Sequence, residues 1–137
     1  MQSVILVDID GTIALRGDRG AHDHDQAMED GVNWDIVNIV ESLYYKYNVI
    51  LVSGRDEKYR VITEYWLHAH GIMPYRLALL MRPLGDNRPD EVVKEEIYKQ
   101  QIWPHYKVVG VFDDRDKVVA MWRRLGLTCL QVADGAY

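Results

Sequence analysis

Short apolar runs rich in Val, Ile and Leu alternate along the chain with longer segments in which apolar residues recur every three or four positions. The first pattern is typical of buried strands and the second of helices that cover a sheet, so their alternation predicts parallel βαβ units. The predicted strands are Ser3–Ile9, Asn48–Ser53, Leu77–Met81, Lys107–Phe112 and Leu127–Val132. We therefore predict an α/β, Rossmann-like three-layer sandwich with a central parallel sheet.

Four helices are predicted between these strands, and capping or helix-stopping residues mark their ends. These residues are Asn33, Gly71, Pro89 and Gly126. The stretch Leu15–Asp30 has no clear apolar period and contains two glycines. We expect it to form a small flap, within about residues 14–33, over the edge of the sheet where the strands end.

Composition narrows the class of protein. The chain has 137 residues, one Cys and a formal charge of −5, and no Ser/Gly-rich linker interrupts it. We expect a single domain over residues 1–137 that has no disulfide framework and is not a generally basic nucleic-acid coat. The N-terminal apolar run is interrupted by Asp8 and Asp10, so we expect neither a signal peptide nor a membrane span, and a cytoplasmic location.

Acidic residues stand at the ends of the first and fourth predicted strands. Asp8 and Asp10 point the same way from an extended backbone, and Asp113 with Asp114 ends a later strand. If these strands are neighbours, two unit charges about 4 Å apart repel by roughly 4 kcal/mol at an effective dielectric near 20. Oxygen ligands with no nearby His or Cys favour Mg²⁺ as the neutralising cation. The alternative is that each Asp is a turn or cap residue.

The residues at these junctions resemble a known family. Asp8-Ile9-Asp10-Gly11-Thr12 resembles the DxDGT motif of the haloacid-dehalogenase (HAD) phosphohydrolase superfamily, Ser53 its second motif, Lys94 its third, and Asp113-Asp114 its acidic fourth. All four occur in the family's order and in the expected strand–helix context. The resemblance implies a HAD-like fold with a minimal cap.

A narrower resemblance covers nearly the whole chain and is densest from Met81 onward. Ser53-Gly54-Arg55-Asp56 and Val111-Phe112-Asp113-Asp114-Arg115-Asp116 are similar to segments of the 3′-phosphatase domain of phage-type polynucleotide kinase/phosphatase, as is the run from Gly85 to Ile97. The G-x-x-x-x-G-K-[ST] phosphate loop of the kinase domain is missing from this sequence. We therefore expect no kinase domain in this chain and no 5′-kinase activity.

The resemblance implies a catalytic role for each acid. Asp8 would be the nucleophile that forms an aspartyl-phosphate, and Asp10 the general acid and then the general base. Mg²⁺ would lie between Asp8, the Asp10 carbonyl, and Asp113 or Asp114, with the choice between these two left open. Direct attack by water is the alternative mechanism.

The resemblance also implies a set of phosphate- and substrate-binding residues. Ser53 and Lys94 would bind the transferring phosphoryl group, and Asp90 would orient Lys94. An arginine of the flap would contact phosphate, with Arg19 preferred over Arg16. The full set is Thr12, Arg19, Ser53, Gly54, Arg55, Arg82, Arg88, Asp90 and Lys94.

The function that these inferences favour is Mg²⁺-dependent removal of a 3′-terminal phosphate from DNA or RNA ends, with a separate kinase or ligase as a possible partner. If the chain is of phage origin, it would act in the host cytoplasm. One alternative is a phosphatase for a small nucleotide or sugar phosphate, which would share the same core. Another is a phosphoacceptor signalling module, which also combines strand-end aspartates, Mg²⁺ and a lysine. The sequence leaves open the DNA or RNA preference, action on 2′,3′-cyclic ends and the oligomeric state.

Overall fold

Five parallel strands form the central sheet of the structure, which is a computed structural model describing residues 1–137. The seven strands of the chain are β1 (Gln2–Val7), β2 (Ala14–Leu15), β3 (Gly31–Val32), β4 (Asn48–Asp56), β5 (Ala78–Arg82), β6 (Tyr106–Asp113) and β7 (Cys129–Gln131). The sheet has the order β5-β4-β1-β6-β7, and β2 pairs antiparallel with β3 at the base of the flap. The predicted α/β fold with a central parallel sheet is confirmed.

Four α-helices cover the two faces of the sheet. They are α1 (Trp34–Glu41), α2 (Arg60–Ala69), α3 (Asp90–Ile97) and α4 (Asp116–Arg124). A π-helical turn, Tyr98–Ile102, extends α3, and two 3₁₀ segments, His24–Glu29 and Glu57–Tyr59, precede β3 and α2. Every helix falls short of the length and apolarity that a membrane span requires.

The core is divided by the sheet because successive side chains of a strand point to opposite faces. In β1, Ile5 and Val7 pack with residues of α1 and α2, whereas Val4 and Leu6 pack with residues of α3 and α4. Each face therefore has its own cluster of buried apolar residues. This produces the predicted three layers.

Most differences from the predicted elements are at their ends. β4 continues to Asp56 because it pairs with β5 past an irregularity between Ser53 and Asp56. β7 is shorter than predicted, and α1 begins after Asn33 without a hydrogen bond from that side chain. Gly71 and Gly126 follow α2 and α4 with φ of 65° and 85°, as expected for helix-stopping glycines.

The flap is more ordered than its lack of apolar period predicts. The β2–β3 pair closes its base, and Arg19, His24, Ala27 and Asp30 are buried within it. The indole Nε1 of Trp66, in α2, donates a hydrogen bond to the Asp30 carbonyl at 3.0 Å. The flap is thus fixed to the domain through polar contacts, which a search for apolar periodicity does not detect.

Candidate active site

Strand register brings the two acidic segments together. Val7 pairs with Phe112 across β1 and β6, and the amide of Asp8 donates to the Phe112 carbonyl at 2.9 Å. Asp8 therefore lies beside Asp113, the last residue of β6. Carboxylate oxygens of Asp8, Asp113 and Asp114 all lie within 4.8 Å of one another, and the three residues are buried. The chain thus gathers three acids at the carboxyl ends of the adjacent strands β1 and β6.

Lys94 provides the positive charge of this group. Its Nζ donates to Asp8 at 2.7 Å and to Asp113 at 3.0 Å, and its side chain is almost fully buried. Thr12 donates its hydroxyl to the other carboxylate oxygen of Asp8 at 3.0 Å. We call Asp8, Lys94, Asp113 and Asp114 the carboxylate cluster.

The carboxylate cluster has one polar atom that stands out because it is buried without a hydrogen-bond partner. This atom is Oδ1 of Asp114, whereas Oδ2 of the same residue accepts a hydrogen bond from the Tyr137 hydroxyl at 2.6 Å. A cavity of about 30 Å³ lies among these side chains, enough for a water or a metal ion. An unpartnered carboxylate oxygen beside two further acids is the oxygen-only donor set that Mg²⁺ prefers.

Burial and mutual repulsion shape the protonation of this cluster. Burial, together with the charge of Asp113, raises the pKa of Asp8 well above its ordinary value, although Lys94 acts in the opposite direction. Burial also raises the pKa of Asp114. For Lys94, burial works against the charged form, but Asp113 and Asp8 outweigh it and raise the pKa of Lys94. One ammonium group is therefore shared by three carboxyl groups, and a further cation would favour their ionised forms.

Asp10 lies in a second, separate group of charges. Its carboxylate accepts from Arg55 at 2.7 and 2.9 Å and from Arg19 at 2.9 Å. Asp30 binds the same two guanidinium groups, with contacts of 2.7 and 2.8 Å to Arg19 and 3.2 Å to Arg55. We call Asp10, Arg19, Asp30 and Arg55 the arginine cluster. The cluster forms only when the flap packs against the end of β4, because Arg19 comes from the flap and Arg55 from β4.

The arginine cluster holds Asp10 in its ionised form. Burial alone would raise the pKa of Asp10, but the hydrogen bond and charge of Arg55, with His24 and Arg19, lower it on balance. The Nδ1 atom of His24 lies 3.9 Å from the Asp10 carboxylate. In this arrangement Asp10 is ionised and weakly basic, and it must lose arginine contacts before it can bind a proton and donate it.

Two glycines allow the close approach of chain segments at the site. Gly11 has φ of 83°, and a Cβ atom there would lie 2.1 Å from Oδ2 of Asp114. A Cβ atom on Gly54 would lie 2.6 Å from Oδ1 of Asp90. Any side chain at either position would displace a carboxylate of the site, and Gly11 adds a left-handed backbone that other residues adopt at a cost.

The remaining residues predicted to bind phosphate occupy different environments. The Ser53 hydroxyl is buried and accepts from the Arg55 amide at 3.0 Å. Arg82 donates to the carbonyls of Gly54, Asp86 and Arg88 and pairs with Asp90. The exposed Arg88 pairs with Asp86 and Glu96.

One predicted contact is absent. Asp90 forms its ion pairs with Arg82 and Arg115, the latter at 2.6 Å, and does not hydrogen-bond to Lys94. The resemblance implied that Asp90 orients Lys94, but the structure has no hydrogen bond or ion pair between them, and only the charge of Asp90 acts on Lys94. Lys94 is instead fixed by the two acids at the strand ends.

Sequence reasoning missed several residues at the site. Asp30 gave no signal because it closes an aperiodic flap, and His24 lies in the same aperiodic stretch although it is buried. Tyr137 lies 23 positions after its partner Asp114 and belongs to no motif. Arg115 directly follows the acidic motif, and its position was the one available clue.

Comparison with known proteins identifies the family. Residues 2–137 match the model of the polynucleotide kinase PNKP phosphatase domain. The chain belongs to this family. The resemblance to HAD phosphohydrolases, and to the phosphatase domain of polynucleotide kinase/phosphatase in particular, is thereby confirmed, and the signalling-module alternative loses its support.

Relatives of this PNKP-type phosphatase domain are considerably longer than the chain. A protein of Autographa californica nuclear polyhedrosis virus, provisionally named a bifunctional polynucleotide kinase/RNA ligase, is 34% identical over 125 residues, which cover 88% of this chain and 18% of the viral protein. A solved Pnkp1/Rnl/Hen1 complex contains a chain with a TM-score of 0.95 and 35% identity over all of this chain and 48% of its own length. A chain of a Pnkp1/Rnl/Hen1 RNA repair complex has a TM-score of 0.94 and 36% identity, over 99% of this chain and 44% of its own length.

Proposed function

We propose that this chain is a Mg²⁺-dependent polynucleotide 3′-phosphatase that works through an aspartyl-phosphate on Asp8. The main support is that Asp8 and Asp10, although two residues apart, have their carboxylates in different clusters. Asp8 lies beside Lys94 and two acids, whereas Asp10 binds two arginines. The first arrangement suits a nucleophile beside a metal ion, and the second suits a group that exchanges protons.

Asp8, Asp113 and Asp114 would hold the Mg²⁺, and the Asp10 carbonyl would complete the protein ligands. Asp114 is our choice for the direct ligand of the acidic pair, since its Oδ1 has no hydrogen-bond partner. Both oxygens of Asp113 already accept hydrogen bonds, from Lys94 and Trp122 on one side and from the Asp114 amide on the other. When bound, Mg²⁺ neutralises charge on the nucleophile and on the phosphoryl oxygens.

The proposed reaction has two displacement steps. A carboxylate oxygen of Asp8 attacks phosphorus, the bond from phosphorus to the 3′-oxygen breaks, and the 3′-oxygen takes a proton from Asp10. A water molecule then attacks phosphorus, the bond to Asp8 breaks, and Asp10 takes the proton from that water. The products are a 3′-hydroxyl end and inorganic phosphate, and both aspartates return to their starting forms.

Arg19 and Arg55 would transfer their contacts during the first step. A terminal phosphate entering the site offers oxygens that compete with Asp10 for the two guanidinium groups. Loss of these contacts raises the pKa of Asp10, because the same contacts lower it in the free chain. Substrate binding would thus favour uptake of a proton from solvent by Asp10, which then acts as the acid, and Asp10 would release that proton when the inorganic phosphate leaves and the arginine contacts form again.

The names of the relatives support nucleic-acid ends as the substrate and a kinase or ligase as the partner. The solved relatives come from complexes named Pnkp1/Rnl/Hen1, one of them described as an RNA repair complex. We propose that 3′-phosphorylated RNA is among the substrates of this chain. The 5′-kinase and ligase steps would be carried out by other domains or proteins.

Phosphate release from four substrates tests this function: a 3′-phosphorylated RNA oligonucleotide, its DNA counterpart, a 3′-mononucleotide and a sugar phosphate. We expect turnover of the oligonucleotides with Mg²⁺ and none after chelation by EDTA. Acid quenching should trap phosphate on Asp8, and its absence at every quench time would favour direct attack by water. Faster turnover of the sugar phosphate than of either oligonucleotide would contradict the proposed substrate.

A further inference from the structure

A larger cavity adjoins the carboxylate cluster and has no role in the reaction described above. It has a volume of about 440 Å³, within the range of roughly 300–1,000 Å³ that is typical of small-molecule sites. Its wall shares His24, Gly54, Asp90 and Arg115 with the small cavity that contains the catalytic acids. A substrate whose phosphate lies at Asp8 can therefore extend into this space.

The acids that line the larger cavity are already satisfied by other groups. Asp86 pairs with Arg88 at 2.6 Å, and Asp90 pairs with Arg82 and Arg115. Asp56 accepts from the main-chain amides of Lys58 and Gly85, both at 2.8 Å. These contacts reduce the repulsion that the three carboxylates would exert on an anionic ligand.

Lys58 is the cation of this wall that forms no ion pair with a carboxylate, although its charge acts on nearby Asp56. Its ammonium group forms none of the ion pairs of the structure and lies 5.1 Å from the centre of the Tyr59 ring. Tyr59 in turn meets His24 edge to face, with ring centres 5.3 Å apart. This row of side chains leads from solvent towards Asp10, since His24 lies 3.9 Å from its carboxylate.

We propose that this cavity binds the nucleotide next to the scissile phosphate, with Lys58 contacting the adjoining phosphodiester and Tyr59 packing against the sugar or base. The inference rests on the proposed function, because it concerns the body of the same substrate. A phosphodiester is common to RNA and DNA, so the Lys58 contact distinguishes a polynucleotide from a mononucleotide and does not distinguish the two nucleic acids.

The chain contains a matched control for this contact. Lys46 lies 5.5 Å from the centre of the Tyr47 ring, in the same neighbouring-residue arrangement as Lys58 and Tyr59. Lys46 precedes β4, whereas Lys58 follows it, so the two pairs lie beyond opposite ends of one strand. Replacing either lysine by Ala removes one positive charge from the chain, but only Lys58 lines the cavity.

The test compares Lys58→Ala with Lys46→Ala on a 3′-phosphorylated dinucleotide, which has one phosphodiester, and on a 3′-mononucleotide, which has none. We expect Lys58→Ala to raise the KM for the dinucleotide about tenfold with kcat unchanged, and to leave the mononucleotide unaffected. For a longer oligonucleotide, the slope of log KM against log salt should become shallower by about 0.7, the value for one lost phosphate contact on a single strand. Lys46→Ala should behave as the unmodified protein.

Binding of the 3′-hydroxyl product dinucleotide gives a readout without chemistry, and Lys58→Ala should weaken it by a similar factor for ribose and deoxyribose forms. An unchanged KM for the dinucleotide, or an equal loss on the mononucleotide, would overturn the subsite while leaving the proposed function intact. Failure of the unmodified chain to hydrolyse any 3′-phosphate would overturn both.

Discussion

Asp8 and Asp10 are two residues apart in the sequence, yet their carboxylates belong to clusters with different charge balance. In the carboxylate cluster three acids share the single ammonium group of Lys94. In the arginine cluster two acids are matched by two guanidinium groups. The first cluster has a formal excess of two negative charges, which equals the charge of one Mg²⁺, whereas the second needs no added ion.

The two clusters also differ in how they are assembled. The acids of the carboxylate cluster stand at the ends of adjacent strands, so the register of β1 and β6 is enough to bring them together. The arginine cluster requires the flap to fold back, because Arg19 and Asp30 both come from it. The carboxylate cluster follows from the strand register of the sheet, whereas the arginine cluster depends on the position of the polar flap. The carboxylate cluster therefore has an uncompensated charge that a divalent cation would balance, whereas flap closure by itself completes the arginine cluster.

Replacement of Asp8 by Asn should have the largest effect on turnover. It should lower turnover while raising the free energy of unfolding. We expect turnover to fall by about 10⁴-fold or more, because the nucleophile is lost. Burial raises the pKa of Asp8 in the folded chain, so its ionisation costs folding free energy above about pH 4, where an unfolded Asp ionises. Without Mg²⁺, the free energy of unfolding at pH 7.5 should therefore be higher in the variant than in the unmodified chain.

This stability difference should disappear as the pH falls through 4, since Asp8 is then neutral in both states, as Asn is. Thermal unfolding at pH 7.5 and pH 3.5, each in EDTA, measures it. Asp116→Asn, a substitution of an exposed acid in the first turn of α4, is the control. A variant that is clearly less stable than the unmodified chain at pH 7.5 would mean that the Lys94 contact outweighs the repulsion among the acids.

Asp30→Asn should weaken the arginine cluster and leave the carboxylate cluster intact. The change leaves Arg19 and Arg55 to share one carboxylate, and breaking a buried ion pair from one side costs about 3–5 kcal/mol. We expect a corresponding loss in the free energy of unfolding, together with a lower kcat because Asp10 is no longer held in place. Chemical denaturation with and without saturating Mg²⁺ is the measurement.

The loss in Asp30→Asn should be the same in the presence and absence of Mg²⁺, because no metal belongs to the arginine cluster. Full recovery of stability on adding Mg²⁺ would mean that the two clusters act as one unit. Asp35→Asn provides the control, as Asp35 is an exposed acid in the first turn of α1.

The carboxylate cluster could be predicted from the sequence because regular strands fix its geometry. Once β1 and β6 are placed as neighbours, Asp8 and Asp113 must meet, and the burial of Lys94 follows from its place on the apolar side of α3 with Val93 and Ile97. The predicted closeness of Asp8 to Asp113 and Asp114 is thus confirmed. This part of the prediction depended on the apolar periodicity of the helices, the register of the strands and the positions at which the strands end. The expectation that Asp10 points the same way as Asp8 is wrong, because β1 ends at Val7 and the Asp10 carboxylate binds Arg19 and Arg55 instead.

The arginine cluster could not be predicted in the same way. Arg19 and Arg55 were expected to contact phosphate, but no rule of spacing indicates that both bind Asp10 and Asp30 in the free chain. Its contacts join the flap to the end of β4 through side-chain hydrogen bonds, which depend on three-dimensional closure and leave no periodic trace. Tyr137 was missed for the same reason.

Tyr137→Phe should have the smallest effect of these substitutions. It tests whether the Tyr137 hydroxyl helps the carboxylate cluster to bind a metal ion. The guanidinium carbons of Arg16 and Arg115 lie 5.0 and 5.2 Å from the centre of the Tyr137 ring, and these contacts remain in the variant. Only the hydroxyl that donates to Oδ2 of Asp114 is lost. Burial, with Asp114, raises the pKa of Tyr137, so the hydroxyl remains a donor throughout the working pH range.

A hydrogen bond to a charged group contributes about 1.5–3 kcal/mol, and partial exposure of Tyr137 places it at the lower end. The bond is present without the metal, so we expect the unfolding free energy in EDTA to fall by about 1 kcal/mol. We also expect the Kd for Mg²⁺, measured by calorimetry on the free chain, to rise a few-fold, because the Asp114 carboxylate is no longer held in its orientation before the ion binds. Tyr45→Phe, at a position that is 86% exposed, should leave both unchanged. Equal Mg²⁺ affinity in Tyr137→Phe and the unmodified chain would show that the carboxylate of Asp114 is oriented by Gly11 and the β6 backbone, without help from the hydroxyl.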